Sequence, residues 1–252
     1  MARVRIRFQK LGKIRWTSQR DVARMWERAF RRVDLPLAYT EGFSPRPKVS
    51  FGLALPTGHE SLAEYLDIEV APTAAGAEIL TAVEALPARL SAALPHGVDA
   101  VRAAAIVAGT PSLQEAVTSC TWRWTAVGAP GVPLDPADLA ERAARLMGSA
   151  SVMVTRRRKG VEVTDDIRDS VLDLRVLATT ETVVGGVVLE ADLAAQPRGL
   201  RPSELLAGLG ADLIERDTCR LHQWILRHGA RSEPLPGPSG ATGAPHALER
   251  AS

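Results

Sequence analysis

Over the first 107 positions the apolar residues switch between a period of two and a period near 3.6, and that switching leaves few folds open. Val4, Ile6 and Phe8 alternate with Arg3, Arg5 and Arg7, which predicts a half-buried strand carrying three guanidinium groups on its second face. Ser18 and Asp21 then open a helix, because a hydroxyl and a carboxylate can accept the orphan amides of a first turn. Val22, Met25, Trp26, Ala29, Phe30 and Val33 make its apolar stripe, and Arg20, Arg24, Arg28 and Arg31 line the other side. Pro36 ends it, since proline disfavours helical geometry in the residue before it. Strands are expected over 49–55 and 63–70, a helix capped by Thr73 with Ile79, Leu80, Val83 and Leu86 inward, and a strand over 98–107. The order β-α-β-β-α-β is the ferredoxin-like arrangement, in which the first and third strands are neighbours. The arginine face of the first strand then lies beside Tyr65, Asp67 and Glu69, so cross-strand ion pairs absorb part of its charge.

The pattern begins again after residues 109–117, which read as a linker. A strand over 119–127 places Trp122 and Trp124 on one face, as core or interdomain residues rather than stacking platforms. Asp135 and Pro136 open a helix, with Leu134 and Leu139 as a hydrophobic staple. Strands over 152–155, 172–178 and 182–191, a helix over 203–213 and a strand over 218–226 follow. The expected fold class is therefore α+β: two tandem ferredoxin-like domains with antiparallel sheets, at 1–108 and 118–228. From residue 229 to 252, Gly, Pro, Ser and Ala dominate and a disordered tail is expected.

The net charge of +2 conceals a split. Residues 1–50 hold 13 Lys/Arg against 4 Asp/Glu, and the remaining 202 hold 18 against 25. A split of this kind marks an end that meets a polyanion, or one that faces the acidic remainder of its own chain. Cys120 and Cys219 stand too far apart for a redox pair or a metal knuckle, so two buried thiols in a reducing cytoplasm are expected. The five histidines are scattered, and neither a metal nor a cofactor is implied. No apolar run reaches the length of a membrane span, and no signal-peptide core follows the first methionine.

Three segments could carry chemistry. In Tyr39–Phe51, Gly42, Phe43, Pro45 and Pro47 read as a stiff structural loop that holds Arg46 and Lys48 outward, a geometry suited to phosphate. The alternative is a crossover whose cations are merely solvated. Glu41 in the same loop is the one candidate general base, although the catalytic residues stay unknown. Arg156, Arg157, Arg158 and Lys159, followed by Gly160, read as a cationic hairpin tip, either solvated or in contact with nucleic acid. Asp165 and Asp166 are adjacent on an extended segment, so their carboxylates point opposite ways and cannot converge on a cation. Phosphate-loop, dinucleotide and nucleophile-elbow motifs are absent.

The segments Arg7-Phe8-x-Lys10-x-Gly12, Ser18-Gln19-Arg20-Asp21 and Glu27–Arg32, together with the 39–51 loop, the Leu55-Pro56-x-Gly58 and Glu64–Asp67 blocks, and the later Lys159-Gly160 and Asp166–Arg168 blocks, resemble a bacterial family. It is the radical-SAM-associated domain of unknown function, and the resemblance spans roughly residues 2–226. Ser44 and Arg46 stand where the familiar loop has Asn and His. The resemblance implies a separately encoded radical SAM enzyme as partner and hints at RNA, with tRNA or rRNA modification as the setting. No C-x-x-x-C-x-x-C is present to hold an iron–sulfur cluster in this chain. The leading expectation is a non-catalytic, RNA-contacting partner protein using Arg20, Arg24, Arg28, Arg31, Arg46, Lys48 and the Arg156–Lys159 tip. An RNA-processing or RNA-modifying enzyme using Glu41, and a protein-interaction scaffold, are the alternatives.

Overall fold

The computed structural model describes residues 2–130, 134–158, 160–177, 186–227 and 229–235, with Arg158 and Arg227 described for their backbone alone. The alternation at the N-terminus forms β1 (Arg3–Lys10), and the 3.6-period stripe forms α1 (Gln19–Arg32). The Ser18 hydroxyl accepts from the Asp21 amide at the N-cap, as expected. Trp26, fully buried, packs edge-on against Phe8 of β1 with ring centroids 5.0 Å apart, which docks α1 on the sheet. Next come β2 (Val49–Phe51), β3 (Glu60–Glu69), α2 (Ala74–Thr81), α3 (Leu86–Ser91) and β4 (Val98–Ile106). The single helix expected after Thr73 is thus broken in two, with a tight turn over Val83–Ala85.

The expected linker contains a helical turn, α4 (Leu113–Ala116), capped reciprocally by Ser112 and Glu115. Leu113 is buried beside Ala63, Tyr65 and Leu235, so this stretch is packed rather than loose. The second half runs β5 (Val117–Gly128), α5 (Pro136–Gly148), β6 (Met153–Arg158), β7 (Val161–Asp166), β8 (Val171–Leu177), β9 (Val187–Ala194), α6 (Pro202–Leu209), β10 (Leu213–Arg227) and β11 (Ala230–Ser232). Trp122 and Trp124 are both in the core, under α5 and α6. The disorder expected from residue 229 is corrected for 230–235, where β11 forms and Leu235 is buried; residues 236–252 lie outside the described residues, as do 178–185.

The protein is mixed α+β, built on one large, mostly antiparallel sheet. Its order is β4-β1-β3-β10-β5-β9-β8, with β2 on β3 and β11 on β10, while β6 and β7 form a separate hairpin. The expectation of two separate sheets is corrected here: β3 and β10 pair in parallel and make the sheet continuous. That backbone seam is short, Cys219 opposite Glu60 and Arg220 opposite Ser61. Side chains complete it. The Arg220 guanidinium, buried, bonds the Glu64 carboxylate through Nε (3.0 Å) and also reaches the Leu53 carbonyl (2.8 Å). Burial opposes its charge, and the adjacent Glu64 carboxylate and Cys120 sulfur together more than offset that, raising the Arg220 pKa. Gln223 Nε2 donates to the Ala63 carbonyl at 2.6 Å, and His59 pairs with Glu215 at 3.1 Å.

On the face of the sheet away from α1, the arginines of β1 are consumed. Arg5 is 1% exposed and holds both oxygens of Asp67 at 2.7 and 2.8 Å, as well as the Pro234 carbonyl at 3.1 Å. Arg7 reaches Glu233 at 2.6 Å, and Arg3 donates to the Thr110 carbonyl at 2.6 Å. The cross-strand pairing read from the alternation is present in the register Arg5 opposite Asp67. The returning segment 230–235 then covers this face.

Candidate nucleic-acid interface

With β1 neutralised, the basic excess of the first 50 residues emerges on α1. Residues 20, 24, 28 and 31 are spaced by four, four and three, so they share one helical side, and all four arginines are exposed. Arg24 touches Asp21 at 3.3 Å with both side chains about half exposed, a weak contact. Arg20, Arg28 and Arg31 make no ion pair or hydrogen bond among the described residues. A hydrophobic stripe fixes the opposite side of α1 on the sheet, so this row cannot turn inward.

The 39–47 loop stands at the C-terminal end of that row. Tyr39 and Pro47 pair across its base, the Thr40 amide donates to the Arg46 carbonyl (2.9 Å), and the Arg46 amide donates to Thr40 Oγ1 (3.0 Å). Gly42 has φ +120°, a conformation that other residues rarely adopt, so the apex turns at that point. Tyr39 and Pro47 share a cleft of ≈ 310 Å³ with Glu27, Arg31 and Asp34, which sets the loop against α1. Arg46 is exposed and its side chain makes no ion pair or hydrogen bond among the described residues. Glu41 is likewise exposed at the apex, with no hydrogen-bonding partner there to make it a base.

One expectation for this loop needs correction. Lys48 does not stand beside Arg46. It lies 3.2 Å from Glu69 and lines a cleft with Arg3 and Asp67, on the sheet face away from α1. Successive residues of an extended strand point to opposite faces, and Lys48 enters β2 on the side of Glu69. The Phe43 ring is fully exposed at the loop apex.

In the second basic segment Arg156 is structural. Arg156 bonds Asp165 (2.8 Å) and lies 3.3 Å from Glu204 of α6, while Arg198 holds Glu204 at 2.9 Å, so these cations clamp the β6–β7 hairpin onto α6. Arg157 is exposed. Lys159 and the side chain of Arg158 lie outside the described residues. Asp165 and Asp166 diverge as expected: Asp166 accepts from the amides of Val152 (2.8 Å) and Arg168 (3.0 Å) instead of facing its neighbour. No cluster of three metal-ligating side chains occurs among the described residues. The thiols of Cys120 and Cys219 are buried, and that burial pushes their pKa values up to about 11 and about 12.

One exposed aromatic has no signal in the periodicity. Trp16 closes a 3-10 turn over Gly12–Trp16 and is 65% exposed, at the N-terminal end of α1. A short turn of that kind carries neither a strand nor a helix period, and only an exposed position could reveal it.

These features define an α+β protein with a cationic helix row flanked by exposed aromatics. The chain belongs to the family described as an uncharacterized protein conserved in bacteria (DUF2344), whose profile matches residues 3–202. No curated protein matches it in sequence. Among solved structures it is similar to a chain of a Cbf5–Nop10–Gar1 complex, at 11% identity and TM-score 0.46, covering 87% of this chain and 48% of that one. It is also similar to a chain of an H/ACA ribonucleoprotein bound to a substrate RNA containing 2′-deoxyuridine, at 11% identity and TM-score 0.44, covering 90% and 47%. The chain therefore spans about half the length of the solved chains it matches. No helix among the described residues is long and apolar enough to cross a membrane.

Proposed function

We propose that this is an RNA-contacting protein that binds through Arg20, Arg24, Arg28 and Arg31 of α1 and through Arg46, as a cytoplasmic partner of a separately encoded radical SAM enzyme. The RNA reading rests on one observation: Arg20, Arg28, Arg31 and Arg46 are exposed and form no ion pair or hydrogen bond through their side chains among the described residues, whereas most of the other described arginines form ion pairs. Unpaired guanidinium groups in a row suit successive phosphates, each contact releasing condensed counterions. The radical SAM partner follows from the family resemblance, with tRNA or rRNA modification as the setting. We read the fold as a duplication: each half orders its strands fourth, first, third, second, the order of a ferredoxin-like unit, and the two units, at 1–108 and 118–228, fuse edge to edge.

The test is the salt dependence of binding to bulk tRNA and rRNA. Affinity that falls steeply with salt, and weakens in Arg28→Glu/Arg31→Glu, supports the reading. Wild-type protein that shows no binding at low salt removes it. A second reading, docking to the partner enzyme through the loop, is favoured by Phe43, whose fully exposed ring could anchor in a protein pocket. Loss of enzyme capture in Phe43→Ala with RNA binding intact would select that reading.

A further inference from the structure

We infer that Trp16 is a stacking platform for an unpaired nucleobase, so that the RNA bound along α1 is single-stranded. This rests on the RNA reading above and adds the ligand class. Single apolar residues on a surface are ordinary, and exposure alone carries little meaning. Trp16 differs in standing on an anchored turn. The Gly58 amide donates to the Arg15 carbonyl at 2.8 Å, clipping the turn before Trp16 to the 56–59 turn. Gly58 has φ +91°, and a Cβ there would come within 2.9 Å of Trp16 Cζ3, so the indole lies against main chain that only glycine leaves open. The Arg15 guanidinium sits 5.6 Å from the ring centroid and is itself tied to Glu60 at 3.2 Å. Glu60 also accepts from the Gly12 amide at 2.7 Å, and Lys10 Nζ donates to the Thr17 carbonyl at 2.9 Å.

The result is an indole with most of its surface open, on a turn tied to the 56–59 turn. Trp26, Trp122 and Trp124 are buried, and Trp224 is half-buried with Arg231 4.6 Å from its ring. The surroundings of Trp16 are cationic. Lys13 and Arg20 are exposed on either side of it in sequence and make no ion pair among the described residues. From there the arginine row runs along a helix of 14 residues, about 21 Å at 1.5 Å per residue, towards Tyr39 and Phe43, which are also exposed. A duplex hides its base faces in the stack except at its two ends, so along the strand only an unpaired base can lie on an exposed indole. Aromatic rings at the ends of a phosphate-binding row therefore select single strands.

The experiment uses the full chain, a short single-stranded RNA and the same strand annealed to its complement, at one salt concentration. Trp16→Ala is expected to weaken single-strand binding by about 5- to 100-fold, the usual cost of one lost stack, with duplex binding unchanged and Trp16→Phe recovering most of the loss. Equal loss on both RNAs, or no loss on either, overturns the inference while the RNA reading stands. Wild-type binding to neither RNA overturns both. In the wild type, independently of whether the variants fold, the single strand should protect tryptophan fluorescence from acrylamide and the duplex should not; equal protection contradicts the proposal.

Discussion

Arg5 and Arg28 come from the same basic stretch, yet they do opposite things. Arg5 lies in the sheet, 1% exposed, with a carboxylate and a carbonyl on its guanidinium. Arg28 stands in water with no partner among the described residues. The seam repeats the first case, since Arg220 of one half is locked to Glu64 of the other. Charge counted along the chain is therefore a poor guide to charge on the surface. What separates the two groups is whether the opposite face of the element is covered: β1 has a layer on both sides, while α1 has a sheet on one side alone. The surface field that a polyanion meets is thus set by α1 and the 39–47 loop, and not by the N-terminal strand.

The largest effect should come from the seam. Arg220→Met leaves Glu64 buried without its partner and is expected to cost about 3–5 kcal/mol in urea unfolding. Adding Glu64→Leu should recover much of that loss, because an ion pair removed whole costs far less than one broken. If the single variant unfolds like the wild type, the seam is not held by this pair. Arg5→Met, which strands Asp67, should fall in the same range.

A smaller effect belongs to the returning tail segment, and it carries a pH signature. Burial alone would raise the Glu233 carboxyl, but the hydrogen bond with His222 and the Arg7 charge more than offset it and hold its pKa below 4.5, the ordinary value. Glu215 is lowered in the same way, against burial, by His59 and Thr218. A depressed carboxylate contributes stability that is fully present above its unfolded pKa and is lost as pH falls through the folded value. Unfolding free energy should therefore hold from neutral pH to the ordinary carboxylate value and decline below it. Glu233→Gln should cost about 1–2 kcal/mol at neutral pH and make that acid decline shallower. An unchanged acid limb would show that the 230–235 segment does not close over β1. At the small end, Ser18→Ala should cost about 1 kcal/mol through the α1 N-cap.

Local patterning made part of this molecule legible. The alternation of β1 and the stripe and cap of α1 follow from spacing within one element, where a side chain's direction is set by its own backbone. The rest depended on partners far along the chain. Glu64 and Arg220 are 156 positions apart, and nothing near either one announces the other. Arg156 reads as an exposed tip cation until Glu204 and Asp165 close on it. Lys48 reads as a companion of Arg46 until its strand turns it towards Glu69. Of the candidate surface, the α1 row was readable because amphipathic helices expose their polar side. Trp16 was not, because a 3-10 turn has too few residues to show a period.

The contrast between buried and free arginines is tested most directly by Arg28→Glu/Arg31→Glu, followed in parallel by thermal unfolding and by the salt dependence of single-stranded RNA binding. The predicted result is a melting temperature close to that of the wild type, since surface changes usually stay within about 0.5 kcal/mol. The slope of log affinity against log salt should fall by about 1.4, roughly 0.7 for each lost phosphate contact. A melting temperature lowered by many degrees with an unchanged slope would contradict the account, because those arginines would then be holding the fold together and leaving the RNA untouched.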